Sequence, residues 1–132
     1  MSIVDLAGGV ADDVEPIVMN ADEEYQVRII SCDVKMNKND EPYMLPRFEV
    51  VDEPLAKEIT KYLPLPFAEM DEKKKNNAKL GLARLFDAFG YEASESFDSE
   101  DLIGLIGWVI LGVEEDDQYG TSNYIKRFIA GK

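Results

Sequence analysis

The stretch Tyr25–Met36, YQVRIISCDVKM, is the segment on which the fold depends. It is long and rich in β-branched residues, which favours a β-strand. Val27 and Ile29 share one parity, whereas the next apolar residues, Ile30 and Cys32, share the other. Because side chains alternate between the two faces of a strand, the apolar face changes sides near Ile30. This change predicts a β-bulge or a strong bend within the strand.

The rest of the chain predicts four more strands and one helix. Apolar residues at helical spacing between Ala78 and Phe89 indicate a helix that begins between residues 69 and 77 and has Gly90 as its C-cap. Asp98 or Ser99 is expected to cap a single helical turn. The further strands are expected at Tyr43–Val51, Glu58–Leu63, Trp108–Glu114 and Tyr124–Ile129, with turns at residues 37–42 and 115–123.

This order, three strands, a helix and two strands, predicts an all-β fold with one helix. It is the layout of a five-stranded OB-fold-like barrel with the helix between strands 3 and 4. A mixed α+β sandwich is the structural alternative. In the second strand Pro46 has no N–H to donate, which predicts a bend or a sheet edge at that residue.

Length and charge divide the chain into an arm and one domain. With 132 residues, of which 45% are hydrophobic, the chain has the size and composition of a single globular domain. Residues 1–24 carry seven acidic and no basic residues, and they are expected to form an acidic N-terminal arm. Residues 25–132 are expected to form the OB-fold-like domain. No apolar run is long enough to cross a bilayer and no export signal is visible, so we expect a cytoplasmic protein without membrane contact.

The residue types exclude several kinds of catalysis. The chain has no histidine and a single cysteine, Cys32, which excludes a Ser-His-Asp or Cys-His site and argues against zinc. No glycine-rich phosphate loop is present. The acidic clusters at residues 98–101 and 114–117 lack the spacing of a known metal-binding loop and are interpreted as solvated charge. We therefore expect no enzyme, no metal and no cofactor.

Several motifs, taken in order, resemble a known family over roughly residues 20–129. The chain resembles the small phage-encoded OB-fold proteins of replication and recombination modules, which bind single-stranded DNA or have no assigned function. The resemblance implies single-stranded DNA as the partner, replication or recombination proteins beside it, and the cytoplasm of an infected bacterium as the location. Self-association is compatible with such a fold. The motifs are Glu24–Ile29, Arg47–Asp52, Leu82–Gly90, Asp101–Gly104, Tyr119-Gly120 and Asn123–Phe128.

A single-strand binder needs cations for the phosphates and exposed aromatic faces for stacking. In OB-folds these lie on strands 2 and 3 and in the loops that join strands 1–2 and 4–5. Applied to this sequence, the rule selects these candidate nucleic-acid-binding residues: Arg28, Lys35, Lys38, Tyr43, Arg47, Lys61, Tyr62, Trp108, Tyr119, Tyr124, Lys126 and Arg127.

Some of these candidates fit a structural role as well. Tyr62 and Tyr124 also suit the core with their hydroxyls at its rim, and Tyr119 also suits a loop anchor. Trp108 has the parity opposite to the apolar residues of its strand, which is compatible with an exposed stacking ring, but a core position suits a tryptophan as well. The remaining aromatic candidates for the core are Phe48, Phe86 and Phe89, and Cys32 is interpreted as a small buried apolar residue.

The net charge of −13 supports a second functional class. Residues 92–117 carry nine acidic and no basic residues, whereas residues 25–91 carry eleven of each. An acidic protein is repelled by nucleic acid at long range, so DNA binding would need a local basic groove and would be salt-sensitive. The alternative is an acidic interaction module that mimics DNA and binds a basic protein. A virion component is a third class, with no positive support in the sequence.

Overall fold

A computed structural model describes Ile3, residues 15–118 and residues 120–132. One α-helix, α1 (Glu72–Phe89), lies between the fourth and fifth strands, and a 3₁₀ turn spans Ser99–Leu102. The strands are β1 (Glu24–Met36), β2 (Pro42–Val50), β3 (Ile59–Thr60), β4 (Leu63–Pro64), β5 (Ile106–Asp116) and β6 (Gly120–Ile129). The prediction of an all-β fold with one helix is confirmed.

The described strands form one antiparallel sheet in the order β3-β2-β1-β5-β6, with β4 also paired to β2. The expected third strand, Glu58–Leu63, is instead two strands of two residues each. Pro46 on β2 explains the break. Its carbonyl accepts a hydrogen bond from the Lys61 amide at 3.1 Å. Its ring nitrogen carries no proton, so Pro46 cannot donate the second hydrogen bond of the ladder to the third strand.

The sheet curls but does not close into a barrel, contrary to the five-stranded barrel that was predicted. β3 lies beside β6, yet no main-chain pairing joins them in the described part of the chain. Two lysine side chains reach across instead: the Lys57 Nζ donates to the Thr121 carbonyl at 3.4 Å, and the Lys61 Nζ donates to the Ile125 carbonyl at 3.5 Å. Lysine ammonium groups therefore cover free carbonyls on the edge of β6, where pairing with another chain would otherwise be favoured.

The bulge expected in β1 is present at Ile30. Ile29 pairs with Phe48 and Ser31 with Arg47, so Ile30 has no partner on β2. The extra residue brings Val27 and Ile29 before the bulge and Cys32 after it onto the same inner face. A second irregularity lies between β5 and β6. Ile110 pairs with Arg127 and Leu111 with Ile125, so Lys126 has no partner on β5.

The core lies between the inner face of the sheet and α1. Leu82, Leu85 and Phe89 of the predicted helical stripe are buried, and the Phe89 ring lies 5.7 Å from that of Phe48. Phe86 is only partly buried and packs in an aromatic cluster with Tyr91 and Phe97.

The helix C-cap and the cap of the 3₁₀ turn also follow the sequence. Gly90 ends α1 in the left-handed conformation, with a φ of 68°, and its amide donates to the Phe86 carbonyl. The Asp98 carboxylate accepts from the Glu100 amide at 3.0 Å. Both predicted caps are therefore confirmed.

The part of the acidic arm that the structure describes lies against the sheet. Ile17 forms a single parallel bridge with Ala56. Met19 is buried, and its amide and carbonyl are both held by the side chain of Asn123. Asn123 lies within β6, not in the long hairpin connection expected at residues 115–123, because the β5–β6 ladder continues to Asp116 and Gly120. In the described residues, no helix has the length and apolarity that a bilayer crossing needs.

Candidate nucleic-acid interface

Two stacked tyrosines lie on the outer face of the sheet. The rings of Tyr43 and Tyr62 are 4.8 Å apart between centroids and 27° from parallel. Tyr43 lies on β2 opposite Pro64 of β4, and Tyr62 precedes β4, so the broken third strand positions the second ring. Tyr62 is 50% exposed, so part of its surface remains open to solvent. An open aromatic face is what a nucleobase needs for stacking.

Cations surround the tyrosine pair on the same face. Lys35 of β1 is directly opposite Tyr43 in the register and is exposed, and Lys38 is exposed in the following turn. Arg47 lies four residues after Tyr43 on β2 and faces the same side of the sheet. Its side chain is exposed, and the Glu58 carboxylate lies 3.7 Å from its guanidinium. A pair this long and exposed adds little stability and leaves the guanidinium available.

Arg28 is less available than Arg47. Its Nη1 lies 2.5 Å from the Glu49 Oε1, directly across from it on β2. We call the group formed by Arg28, Lys35, Lys38, Tyr43, Arg47 and Tyr62 the tyrosine face. Asp33 and Glu49 are carboxylates on this face, and Asp40, Glu41 and Glu58 lie beside it.

Two further aromatic candidates lie on β5 and β6, which β1 separates from β2. The half-buried Trp108 ring has the Lys132 Nζ 4.9 Å above its centroid, and Lys132 also forms an ion pair with Glu24. Tyr124 is 38% exposed, and its ring lies over Gly112 on the neighbouring strand. These rings are partly covered by their own neighbours and do not join the stacked tyrosine pair.

The remaining described candidates, Lys61, Lys126 and Arg127, meet at the seam between the two ends of the sheet. They line a depression of about 150 Å³, which we call the seam pocket. Its other lining residues are Leu63, Gly81, Arg84, Ile125 and Phe128. The sequence analysis did not identify Arg84 as a candidate. Arg84 lies at the border of the apolar stripe of α1, and helical spacing alone does not show which strand a border residue will lie against.

Lys126 is already engaged by a carboxylate. Its Nζ lies 2.5 Å from the Asp22 Oδ1, and this hydrogen bond with its charge raises the pKa of Lys126. The same two residues, with Ile110 and Arg127, line a neighbouring depression of about 380 Å³. Tyr119, the last candidate, lies outside the described residues.

Two further depressions have both apolar and polar residues in their linings. One of about 400 Å³ lies beside Tyr62 and includes Pro64, Phe67 and Met70. Another of about 540 Å³ lies between α1 and residues 93–97, against Leu82 and Phe86.

The described residues contain no cluster of three or more Asp, Glu or Cys side chains that could hold a metal ion. Cys32 is buried, as the sequence predicted, with 7% of its surface exposed. Burial, with the nearby Asp33 charge, raises the pKa of its thiol to about 11, so the thiol is protonated at neutral pH. Cys32 therefore has the character of a core residue.

Comparison of the sequence with models of known protein families and with characterised proteins finds no match. The fold and the two surface groups above are thus the observations on which a function can be argued.

Proposed function

We propose that this protein binds single-stranded DNA through the tyrosine face, with little dependence on base sequence and without catalysis. The observation that carries the proposal is the stacked pair of the half-buried Tyr43 and the exposed Tyr62, beside Lys35 and Arg47. Stacking accepts any base, since every base has a π-face, and the cations supply contacts to the phosphates. The depression beside Tyr62 offers the apolar side chains of Pro64, Phe67 and Met70 to a base edge or sugar, and its lining also includes Lys74 and Glu41.

The distribution of charge is compatible with this function despite the net charge of −13. The acidic residues Glu114, Glu115 and Asp116 are at the exposed end of the β5–β6 ribbon, and β1 lies between these strands and β2, which carries Tyr43 and Arg47. Repulsion from those residues falls off over about 10 Å at 0.1 M salt. Binding therefore depends on the cations nearest the tyrosine pair, Lys35 and Arg47, and affinity should fall steeply as salt is raised.

The resemblance to phage replication and recombination proteins supplies the biological setting of the proposal. There the protein would protect or organise single strands in the cytoplasm of an infected bacterium, with replication or recombination proteins as further partners.

The test is fluorescence anisotropy of a labelled dT strand of about 30 nucleotides against a duplex of the same length, at two salt concentrations. That length exceeds the sites of about 4–16 nucleotides per OB-fold. We expect salt-sensitive binding that favours the single strand. Tyr62→Ala should weaken it about 5- to 150-fold, which corresponds to about 1–3 kcal/mol for one stacked base.

Two variants serve as controls for Tyr62→Ala. Tyr62→Phe retains the ring and should bind like the unmodified protein. Lys73→Gln removes a charge from the first turn of α1, outside the tyrosine face, and should change affinity little. Equal binding by Tyr62→Ala and Tyr62→Phe, or no binding of the single strand at low salt, would refute the proposal.

A second candidate function is an acidic module that binds a basic protein, favoured by the consecutive exposed acidic residues at the end of the β5–β6 ribbon. It predicts no DNA binding, and it predicts a salt-sensitive complex with a basic protein that Glu114→Gln with Glu115→Gln weakens. The balanced charge of residues 25–91 makes this the weaker of the two candidates.

A further inference from the structure

The seam pocket is a concentration of positive charge that the tyrosine face does not use. It joins three separate segments: Lys61 from the β3–β4 connection, Arg84 from α1, and the neighbours Lys126 and Arg127 from β6. No carboxylate lines the pocket within the described residues. In a protein with a net charge of −13, such a site is not expected from composition alone.

The cations are brought together because the sheet fails to close. Lys61 points across the gap and donates to the Ile125 carbonyl, which fixes its ammonium group at the pocket. Arg127 faces outward on β6, opposite Ile110, and α1 brings Arg84 to the same end. Like charges that line one small depression repel one another, so the arrangement favours an anion between them.

Two of the four cations have no competing partner. Arg84 and Arg127 form no ion pair among the residues that the structure describes, and both are exposed. Lys126 is held by Asp22, so it contributes less. Guanidinium groups bind phosphate with two parallel N–H donors, which makes two unpaired arginines a suitable clamp for one phosphate.

The size of the pocket also suits a single phosphate. Its volume of about 150 Å³ is less than half that of the neighbouring depression of about 380 Å³, so it suits one small anion better than a larger ligand. Gly81 forms part of the lining, and a Cβ at this position would lie 3.7 Å from the Leu63 Cδ2. A glycine within a helix destabilises it relative to alanine, and here its missing side chain keeps the pocket open.

We propose that the seam pocket binds a phosphate group, held chiefly by Arg84 and Arg127 with Lys61 beside them. The natural source is a backbone phosphate of the bound single strand. Lys61 of the seam pocket and Tyr62 of the tyrosine face are adjacent in the chain, so a single strand can contact both groups where it crosses this edge of the sheet. The proposal that the phosphate comes from DNA rests on the proposed function. The proposal that the pocket binds phosphate does not depend on that function.

The first experiment measures the pocket without DNA. Inorganic phosphate is titrated into the full chain while the Nε–Hε signals of arginine are followed by NMR. We expect saturable shifts of the Arg84 and Arg127 signals, and we expect Arg84→Gln to remove the response of Arg127. Shifts that are linear in phosphate, or a response of Arg127 that persists in Arg84→Gln, would overturn the proposal.

The second experiment identifies the source with the labelled dT strand. Arg84→Gln and Arg127→Gln should each weaken binding about 5- to 30-fold. Each should also reduce the slope of log affinity against log salt by about 0.7, the value for one lost phosphate contact on a single strand. Lys73→Gln, which removes the same charge elsewhere on α1, should leave the slope nearly unchanged. Gly81→Ala should weaken DNA binding while it raises the melting temperature, a combination that misfolding cannot produce.

The outcomes separate the two proposals. Saturable phosphate binding with unchanged DNA affinity in both arginine variants would support the pocket but assign it to a free phosphate compound instead of the DNA backbone. DNA binding that depends on Tyr62 but not on the arginines, without a phosphate response, would overturn the pocket and leave the tyrosine face intact. Absence of DNA binding would overturn the proposed function, and the NMR titration would then decide the pocket alone.

Discussion

Gly107→Ala tests the packing of α1 on the sheet. Gly107 lies on β5 where the end of the helix approaches most closely: an added Cβ would lie 2.7 Å from the Ala88 carbonyl oxygen and 2.9 Å from the Phe89 ring. Ordinary contacts need about 3.5–4.0 Å, so the helix would have to move by about 0.8–1.3 Å. Overpacking of this kind costs about 1–3 kcal/mol.

The expected change in stability follows from that distance. Replacing glycine by alanine also restricts the unfolded chain, which returns about 0.4–1 kcal/mol. The net loss is therefore about 1–2 kcal/mol. With an unfolding entropy of about 2.1 cal/mol/K per residue, the melting temperature should fall by about 4–7 °C.

The assay is thermal unfolding followed by circular dichroism, with urea unfolding as a second measure of the free energy. Gly81→Ala on α1 is the matched control. Its Cβ meets only the Leu63 Cδ2 at 3.7 Å, an ordinary contact, and alanine favours a helix, so we expect about 0.5–1 kcal/mol of stabilisation. A Gly107→Ala protein as stable as the unmodified protein would refute the close approach of α1 to β5.

Two further predictions concern the core and the docked arm. Burial raises the pKa of the Cys32 thiol from its ordinary value of 9.0 to about 11. The protonated thiol therefore makes its full contribution to stability below pH 9.0, and this contribution is lost as the pH rises through about 11. Urea unfolding at pH 8 to 11 should therefore show a steeper loss of stability than in Cys32→Ala, and equal slopes would contradict the burial of the thiol. Asn123→Ala removes two hydrogen bonds to Met19 and one to the Gly112 carbonyl, and should cost about 2–3 kcal/mol. Hydrogen exchange of the Met19 amide should become at least about 10-fold faster, whereas Asn20→Ala, at an exposed position, should not change it.

Local features of this protein were predictable because their causes lie within a few residues. The change of apolar parity at Ile30 locates a bulge, since alternation along a strand is a property of the backbone. Gly90 ends the helix because it accepts a positive φ without strain, and Asp98 caps the next turn with its own carboxylate. Parity also assigned Tyr43 and Arg47 to the outer face.

Features that depend on distant partners were not predictable in the same way. The division of the third strand follows from Pro46, whose missing proton was recognised but whose partner in space was unknown. The hairpin between β5 and β6 is shorter than expected, because polar residues such as Asn123 form the ladder and hold the arm. Polarity alone assigned them to a loop.

The division between sequence and tertiary structure has one physical reason in this chain. By itself, the sequence determined the kinds of elements, their order, the bulge, the caps and the outward side of Tyr43 and Arg47, because each of these depends on periodicity or backbone chemistry over a short range. Only the tertiary structure decided that Tyr62 stacks on Tyr43, that β3 and β6 remain unpaired, and that Arg84 joins Lys61 and Arg127 at the resulting gap. Those contacts join residues up to 66 positions apart, and which of them form is set by how the curled sheet and α1 pack together.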